Sequence, residues 1–288
     1  MESRLSPALA GALSMAACAF LWSLAGLFIK VLDWNPFLIA GLRSLIAFFT
    51  IWACIGSLRI RWSRPLLAAA LANAVTMLLF VAANKTTTAA NAILLQYLAP
   101  VFTALFGVTV LKERLHREQL LALVFTIAGM VVLFMDRLSP GQLLGNLLAL
   151  TSAFTFSLMF VFTRMQKEAD PLQSFLVSHG VAAAVALGIA LFFPLPVFTP
   201  RAIGSILVLG VVQIGFASLF FSYGIKRVSA VTANLLALIE PVFNPVWVFL
   251  VLGEAPTANT LMGGLLIVGS VVMATLIGAH RAARYAGT

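Results

Sequence analysis

Ten apolar stretches, each near the roughly 20 residues that a membrane-spanning helix needs, constrain the fold of this chain more than any other feature. The runs are too continuous for the alternating strands of a membrane barrel. Only 9% of the residues are charged, whereas about 25% is usual in a soluble domain. The sequence therefore predicts an all-α polytopic protein in contact with the lipid bilayer. The predicted spans are residues 8–31, 36–56, 65–84, 89–111, 118–135, 144–164, 171–193, 202–224, 230–252 and 259–279.

The basic residues between the spans predict the orientation. If the N-terminus lies inside, 13 lysines and arginines fall in cytoplasmic segments and four on the opposite side, which is a clear positive-inside bias. Both termini should then be cytoplasmic, and we expect a multi-pass protein of the bacterial inner membrane. The net charge of +9 is explained by these loops, so no nucleic-acid partner is predicted.

The two halves of the chain repeat one another. The tripeptide Pro-Val-Phe at 100–102 occurs again at 241–243, which is 141 residues later. We therefore divide the chain into two five-helix repeats, residues 1–137 and 138–288. Because five is an odd number, the copies should enter the membrane in opposite directions. Inverted repeats of this kind are typical of transporters that work by alternating access.

Two of the predicted spans contain prolines in matching places. Pro100 in the fourth span and Pro241 and Pro245 in the ninth cannot donate backbone hydrogen bonds. We expect both helices to be kinked near mid-membrane and to line a cavity, because freed carbonyls must find water, a side chain or substrate. The alternative is that the kinks are purely architectural.

Glu240 is the sharpest candidate for a functional residue. A carboxylate at mid-membrane costs several kcal/mol unless it is paired, hydrated or protonated. Asn244 and Trp247 follow on the same helical face. Glu240 could contact a substrate amine or carry a proton, or it could stabilise backbone groups that the prolines free. The first repeat has Ala99 at the matching position, so the acidic site is single.

Amide, aromatic and small polar side chains on spans 1, 3, 4, 6, 8 and 9 are predicted to form the wall of a central cavity. Such a wall suits a neutral or zwitterionic solute with an apolar side chain. Arg43 and His179, in spans 2 and 7, are expected to bind backbone or to snorkel, and Glu113 and Glu254 to be solvated or structural. The predicted cavity residues are Trp22, Ser23, Asn73, Met77, Phe80, Asn84, Gln96, Tyr97, Phe102, Phe154, Ser157, Gln213, Phe216, Tyr223, Asn234, Glu240, Asn244 and Trp247.

Several short motifs resemble the ten-helix EamA-type transporters of the drug/metabolite transporter (DMT) superfamily. That resemblance implies a secondary transporter. The length and the aromatic-rich helices look most like the YddG-type exporters of aromatic and other neutral amino acids. The matching residues are Phe20-Leu21-Trp22-Ser23, Asn35-Pro36 with Arg43, Pro100-Val101-Phe102, Leu111-Lys112-Glu113-Arg114-Leu115, Glu240-Pro241-Val242-Phe243 and Leu252-Gly253-Glu254.

Absent motifs narrow the alternatives. No Walker-type loop is present, which argues against an ATP motor. His116, His179 and His280 are too scattered for a metal site, and neither a cofactor nor a metal is expected. A drug or other metabolite efflux carrier is the alternative within transport. An integral membrane enzyme that uses Glu240 would need a second polar group within reach, and we do not expect an enzyme. The sequence is compatible with a monomer and leaves proton coupling open.

Overall fold

The computed structural model describes residues 6–57, 59–137, 142–253 and 255–286, which are helical apart from the connections and contain no strand. Ten helical segments in this part are long and apolar enough to cross a membrane, and each boundary lies within three residues of the predicted one. The predicted fold class is therefore confirmed. The segments are Pro7–Ile29, Pro36–Ile55, Arg64–Asn84, Asn91–Thr109, Arg117–Phe134, Leu143–Arg164, Leu172–Ala190, Pro200–Ile225, Ala230–Val251 and Ala258–Gly278.

Local sequence explains where several of these helices begin. Ser6, Asn35, Ser63 and Thr199 each accept a hydrogen bond from a backbone N–H of the first helical turn, and each helix has a proline among its first two residues. An oxygen-bearing cap satisfies a backbone donor that has no partner in the helix. Proline at the helix start has no such donor to lose.

Six spans are continuous and four are interrupted. The continuous helices are α3 (Pro36–Ile55), α4 (Arg64–Thr86), α7 (Arg117–Phe134), α8 (Leu143–Arg164), α9 (Leu172–Ala190) and α14 (Ala258–Ala286). The interrupted spans are the first, with α1 (Pro7–Trp22) and α2 (Ala25–Lys30); the fourth, with α5 (Ala89–Gln96) and α6 (Ala99–Thr109); the eighth, with α10 (Pro200–Leu207), a π-helical segment (Val208–Phe216) and α11 (Ala217–Ile225); and the ninth, with α12 (Ala230–Ala237) and α13 (Ile239–Leu252).

The prolines lie just after the breaks in the fourth and ninth spans. Pro100 is the second residue of α6 and Pro241 the third of α13, where a missing N–H costs little. The chain leaves the helix at Tyr97 and Leu98 in one span and at Leu238 in the other. These two prolines therefore begin a new helix, and Pro245 is the one that lies inside α13.

Contacts between helices distant in the sequence hold the bundle together. Helix α4 packs against α8 and α9, α3 against α9 and the π-helical segment, α7 against α14, and α1 against α11. The central apolar core includes Met15, Phe160 and Phe221, which are fully buried. Tyr97 and Leu238, the residues at two of the breaks, belong to the same core.

Candidate functional site

The fourth and ninth spans meet at their breaks. The hydroxyl of Tyr97 lies within interaction range of the carboxylate of Glu240. Tyr97 is buried and Glu240 is partly buried. Six residues away in each span, Asn234 Nδ2 donates to Thr103 Oγ1 at 2.6 Å. Polar side chains from the two halves of the chain therefore contact each other at two places in the protein interior.

The break in the first span docks against α13. The indole nitrogen of Trp247 donates to Ser23 Oγ at 2.8 Å, and Ser23 Oγ donates to the carbonyl of Phe20 at 2.6 Å. The Phe20 ring packs edge-on against Trp247, with centroids 5.3 Å apart. A Cβ placed on Gly26 of α2 would overlap the amide of Asn244. The break that holds Ser23 thus packs against Asn244 and Trp247, which follow Glu240 on α13.

Arg43 interacts electrostatically with Glu240, although the two residues lie on different helices. The sequence led us to expect Arg43 to bind backbone or to snorkel. In the structure its Nε is a buried atom with no hydrogen-bond partner among the described residues. His179 lies within electrostatic range of Arg43, and its Nδ1 is also buried without a partner. The interaction across α3 and α13 left no signal in the local sequence.

Several predicted cavity amides instead tie helices together. Asn73 donates to Ser178 Oγ at 2.9 Å, and Gln96 donates to Ser152 Oγ at 3.0 Å. Asn84 donates to the Phe80 carbonyl of its own helix at 2.9 Å. Interhelical hydrogen bonds of this kind stabilise membrane helix packing. These amide groups hold the wall in this conformation.

The aromatic residues of the predicted wall are only partly brought together. Phe154 is 40% exposed and packs edge-on against Phe102 at 5.8 Å. Ser157 is buried and donates to the Phe154 carbonyl, and Met77 is partly buried. Trp22 packs against Phe221, with centroids 5.8 Å apart.

In the eighth span, the side chains do not share one face of the helix as the sequence predicted. An α-helical spacing placed Gln213, Phe216 and Tyr223 on one side of the helix. In the structure Gln213 is buried, whereas Phe216 and Tyr223 are 42% and 45% exposed. The reason is the π-helical segment, whose wider turns change the angle between successive side chains. A π segment often marks a functional site, and here it turns Gln213 toward Trp22, whose carbonyl accepts from Nε2 at 3.5 Å.

A second polar cluster joins the loop before α7 to α8 and α12. The carboxylate of Glu113 accepts from Arg164 Nε at 2.9 Å and from the backbone N–H of Ala230 at 3.0 Å. Arg164 also donates to the carbonyl of Ile225 at 2.9 Å. Glu113 is therefore structural, and its counterpart Glu254 lies outside the described residues.

A cavity of about 310 Å³ opens beside this second cluster. Its walls contain none of the residues that the sequence predicted for a central cavity. This open space lies at the end of the bundle that holds Glu113. The lining residues are Ala8, Ala12, Glu113, Arg114, His116, Glu118, Gln119, Arg164, Arg227, Val228, Ser229, Thr232, Ala274, Thr275 and Gly278. Sequence reasoning missed this cavity, and the Leu111–Leu115 motif was its one signal.

Ten apolar spans, interrupted helices and polar groups at the breaks define a multi-pass membrane protein of the transporter class. A model of the EamA-like transporter family matches residues 9–135 and again residues 143–276. The chain belongs to this family. The part of the chain that the structure describes holds no group of three or more His, Cys, Asp or Glu that could bind a metal ion.

Individual relatives support the assignment to this family. An uncharacterized transporter of Archaeoglobus fulgidus is 32% identical over 217 residues, which cover 74% of this chain and 77% of the relative. Solute carrier family 35 member G1 of Homo sapiens is 24% identical over 281 residues, covering 90% and 76%. A solved crystal structure superposes with a TM-score of 0.82 at 23% identity, covering 94% of this chain and 98% of the other. The relatives carry the names of transporters, as the sequence predicted, and the solved structure shares the fold.

Proposed function

We propose that this transporter exports amino acids, or neutral and zwitterionic metabolites of similar size, through a site between the fourth and ninth spans. The observation that carries the proposal is the contact of Tyr97 with Glu240 at the two breaks. Charge inside a membrane is costly, so a carboxylate at this position indicates a role for its charge. Carboxylate and phenol together can bind an ammonium group.

Alternating access is the proposed mechanism. The family model matches the chain twice, at 9–135 and 143–276, which supports the division into repeats 1–137 and 138–288. With five spans each, the repeats would be inverted and could exchange conformations. The positive-inside bias supports cytoplasmic termini and a location in the bacterial inner membrane. We assign the transport unit to a single chain.

The surroundings of Glu240 support the substrate class. The nearby walls are aromatic and apolar, with rings from Phe20, Phe243 and Trp247 in mutual contact. A few polar groups in an apolar wall suit a solute with one apolar and one polar end. This composition agrees with the finer resemblance to YddG-type exporters of neutral amino acids, which we include in the proposal.

Transport in proteoliposomes tests the proposal. Purified protein should exchange labelled neutral amino acids across the membrane faster than protein-free liposomes do. Glu240→Gln should reduce that exchange at least tenfold, whereas Glu168→Gln, which alters an exposed carboxylate, should leave it unchanged. Wild-type liposomes that exchange no amino acid of a broad panel would overturn the proposal.

The same assay separates two roles for Glu240. We assign it to the substrate amine, which predicts that Glu240→Gln loses exchange whether or not a proton gradient is imposed. If Glu240 instead carries a proton, the Gln variant would keep exchange and lose only its response to the gradient. A pH-driven flux that survives Glu240→Gln would exclude the proton-carrying role.

A further inference from the structure

Three buried polar atoms that have no hydrogen-bond partner among the described residues lie on three elements that pack together. They are Nε of Arg43 on α3, Nδ1 of His179 on α9 and Oε1 of Gln213 on the π-helical segment. Helix α3 packs against both of the other elements. Buried polar atoms in native proteins nearly always have a partner. Such a group of unpaired atoms therefore indicates a place where a polar ligand binds.

The elements that carry His179 and Gln213 both pack against α3, on which Arg43 lies. His179 is within electrostatic range of Arg43. The backbone of the π-helical segment approaches α3 at the same level, since a Cβ on Gly210 would lie 3.1 Å from the carbonyl oxygen of Arg43. Gln213 follows three residues later in the same segment. His179 thus lies near Arg43, and the π-helical segment that carries Gln213 packs against the backbone of α3 at Arg43.

Arg43 also faces the proposed amine site. Its charge interacts with Glu240, yet its Nε has no hydrogen-bond partner and so does not donate to that carboxylate. A positive and a negative group are therefore near each other in the protein interior, with bonding capacity left over. An α-amino acid carries an ammonium and a carboxylate on one carbon. It can therefore pair with Glu240 and Arg43 at the same time.

A cluster of aromatic side chains begins at His179. His179 stacks on Phe175 at 6.3 Å, Phe175 packs on Phe221 at 5.0 Å, and Phe221 packs on Trp22 at 5.8 Å. An apolar or aromatic substrate side chain would find favourable contacts there, since ring pairs add to the gain from burial alone.

We propose that Arg43 is the group that binds the substrate carboxylate, opposite Glu240, so that the site selects zwitterionic amino acids. The inference rests on the proposed function and adds a residue to its site. Arginine presents N–H donors in a planar fork that matches a carboxylate. Nε of Arg43 and Nδ1 of His179 supply donors for the carboxylate, while Glu240 and Oε1 of Gln213 supply acceptors for the ammonium group.

Binding of three related probes to the purified full-length protein tests the proposal. L-Phenylalanine has both charged groups, 3-phenylpropionate lacks the amine, and phenethylamine lacks the carboxylate. Isothermal calorimetry should show that Arg43→Gln weakens the binding of phenylalanine and of phenylpropionate at least tenfold. The dissociation constant of phenethylamine should stay within twofold of the wild-type value. Glu240→Gln should show the reverse selectivity, weakening phenethylamine and sparing phenylpropionate.

Two further variants keep the test decisive. Arg43→Lys retains the charge without the planar guanidinium fork and should give a smaller loss of affinity for phenylpropionate. This variant tests the proposal if the Gln variant does not fold. Arg201→Gln, which alters an exposed arginine at the start of α10, should bind all three probes as wild type does. An equal loss of all three probes in both folded Arg43 variants would mean that Arg43 only supports the fold.

The outcomes also separate this inference from the proposed function. A wild-type protein that exchanges amino acids, while its Arg43 variants lose no carboxylate selectivity, would overturn the inference and leave the function standing. A wild-type protein that neither binds phenylalanine nor exchanges any amino acid would overturn both.

Discussion

Trp247 donates its indole N–H to the hydroxyl of Ser23, 224 residues earlier in the chain, at 2.8 Å. The bond joins α13 to the break between α1 and α2. It therefore fixes the interrupted first span against the helix that carries Glu240. A transporter whose spans move relative to one another would depend on this contact in one of its conformations.

Trp247→Phe should remove the hydrogen bond while keeping most of the ring packing against Phe20. We expect a loss of about 1 kcal/mol in the free energy of unfolding, the usual size for one such bond. Thermal unfolding in detergent measures the change. Trp52→Phe is the control, because Trp52 is partly exposed on α3. Equal melting temperatures for the two variants would contradict the prediction.

Gly26→Ala should destabilise the protein by roughly 1–3 kcal/mol, the usual cost of overpacking. The added methyl group would overlap the amide of Asn244. Gly188→Ala is a matched control in another helix, since a Cβ there meets nothing within 4 Å. Adding Asn244→Ala should restore part of the stability lost in Gly26→Ala. No rescue by the second substitution would show that the overlap is not the cause.

Glu113→Gln should lower the stability by roughly 1.5–3 kcal/mol, the range for hydrogen bonds to charged groups. The substitution removes the ion pair with Arg164, whose side chain is 16% exposed, and weakens the bond to the Ala230 N–H. A double-mutant cycle with Arg164→Gln isolates the pairwise contribution. Additive losses in that cycle would argue that the two charges do not stabilise one another.

The two cysteines should differ in reactivity. Cys18 is buried in the central core and Cys54 is exposed. A Cys54→Ser variant should react with N-ethylmaleimide at least tenfold more slowly than a Cys18→Ser variant, because reagent must reach the sulfur. Mass spectrometry of the labelled protein gives both rates. Equal rates would mean that the core opens readily without substrate.

Local sequence was sufficient for much of the architecture. Hydropathy located all ten spans within three residues, because the bilayer imposes a length that the chain must match in each segment. Caps such as Ser6 and Asn35 determined where helices begin. Pro100 and Pro241 indicated two of the four interrupted spans, since a residue without an N–H acts on its own helix. These effects operate within a few residues of their cause.

Tertiary packing was needed for the site. The π-helical turns separate Gln213 from Phe216, and no hydropathy pattern records such a change in helical period. Asn73 and Gln96 bond across helices, whereas their sequence positions only indicated a polar face. Arg43 lies within electrostatic range of Glu240 across α3 and α13, and Glu113 forms an ion pair with Arg164 beside a cavity that the sequence did not reveal. These relationships depend on how distant helices pack, and a linear pattern of polar and apolar residues carries no information about which helix faces which.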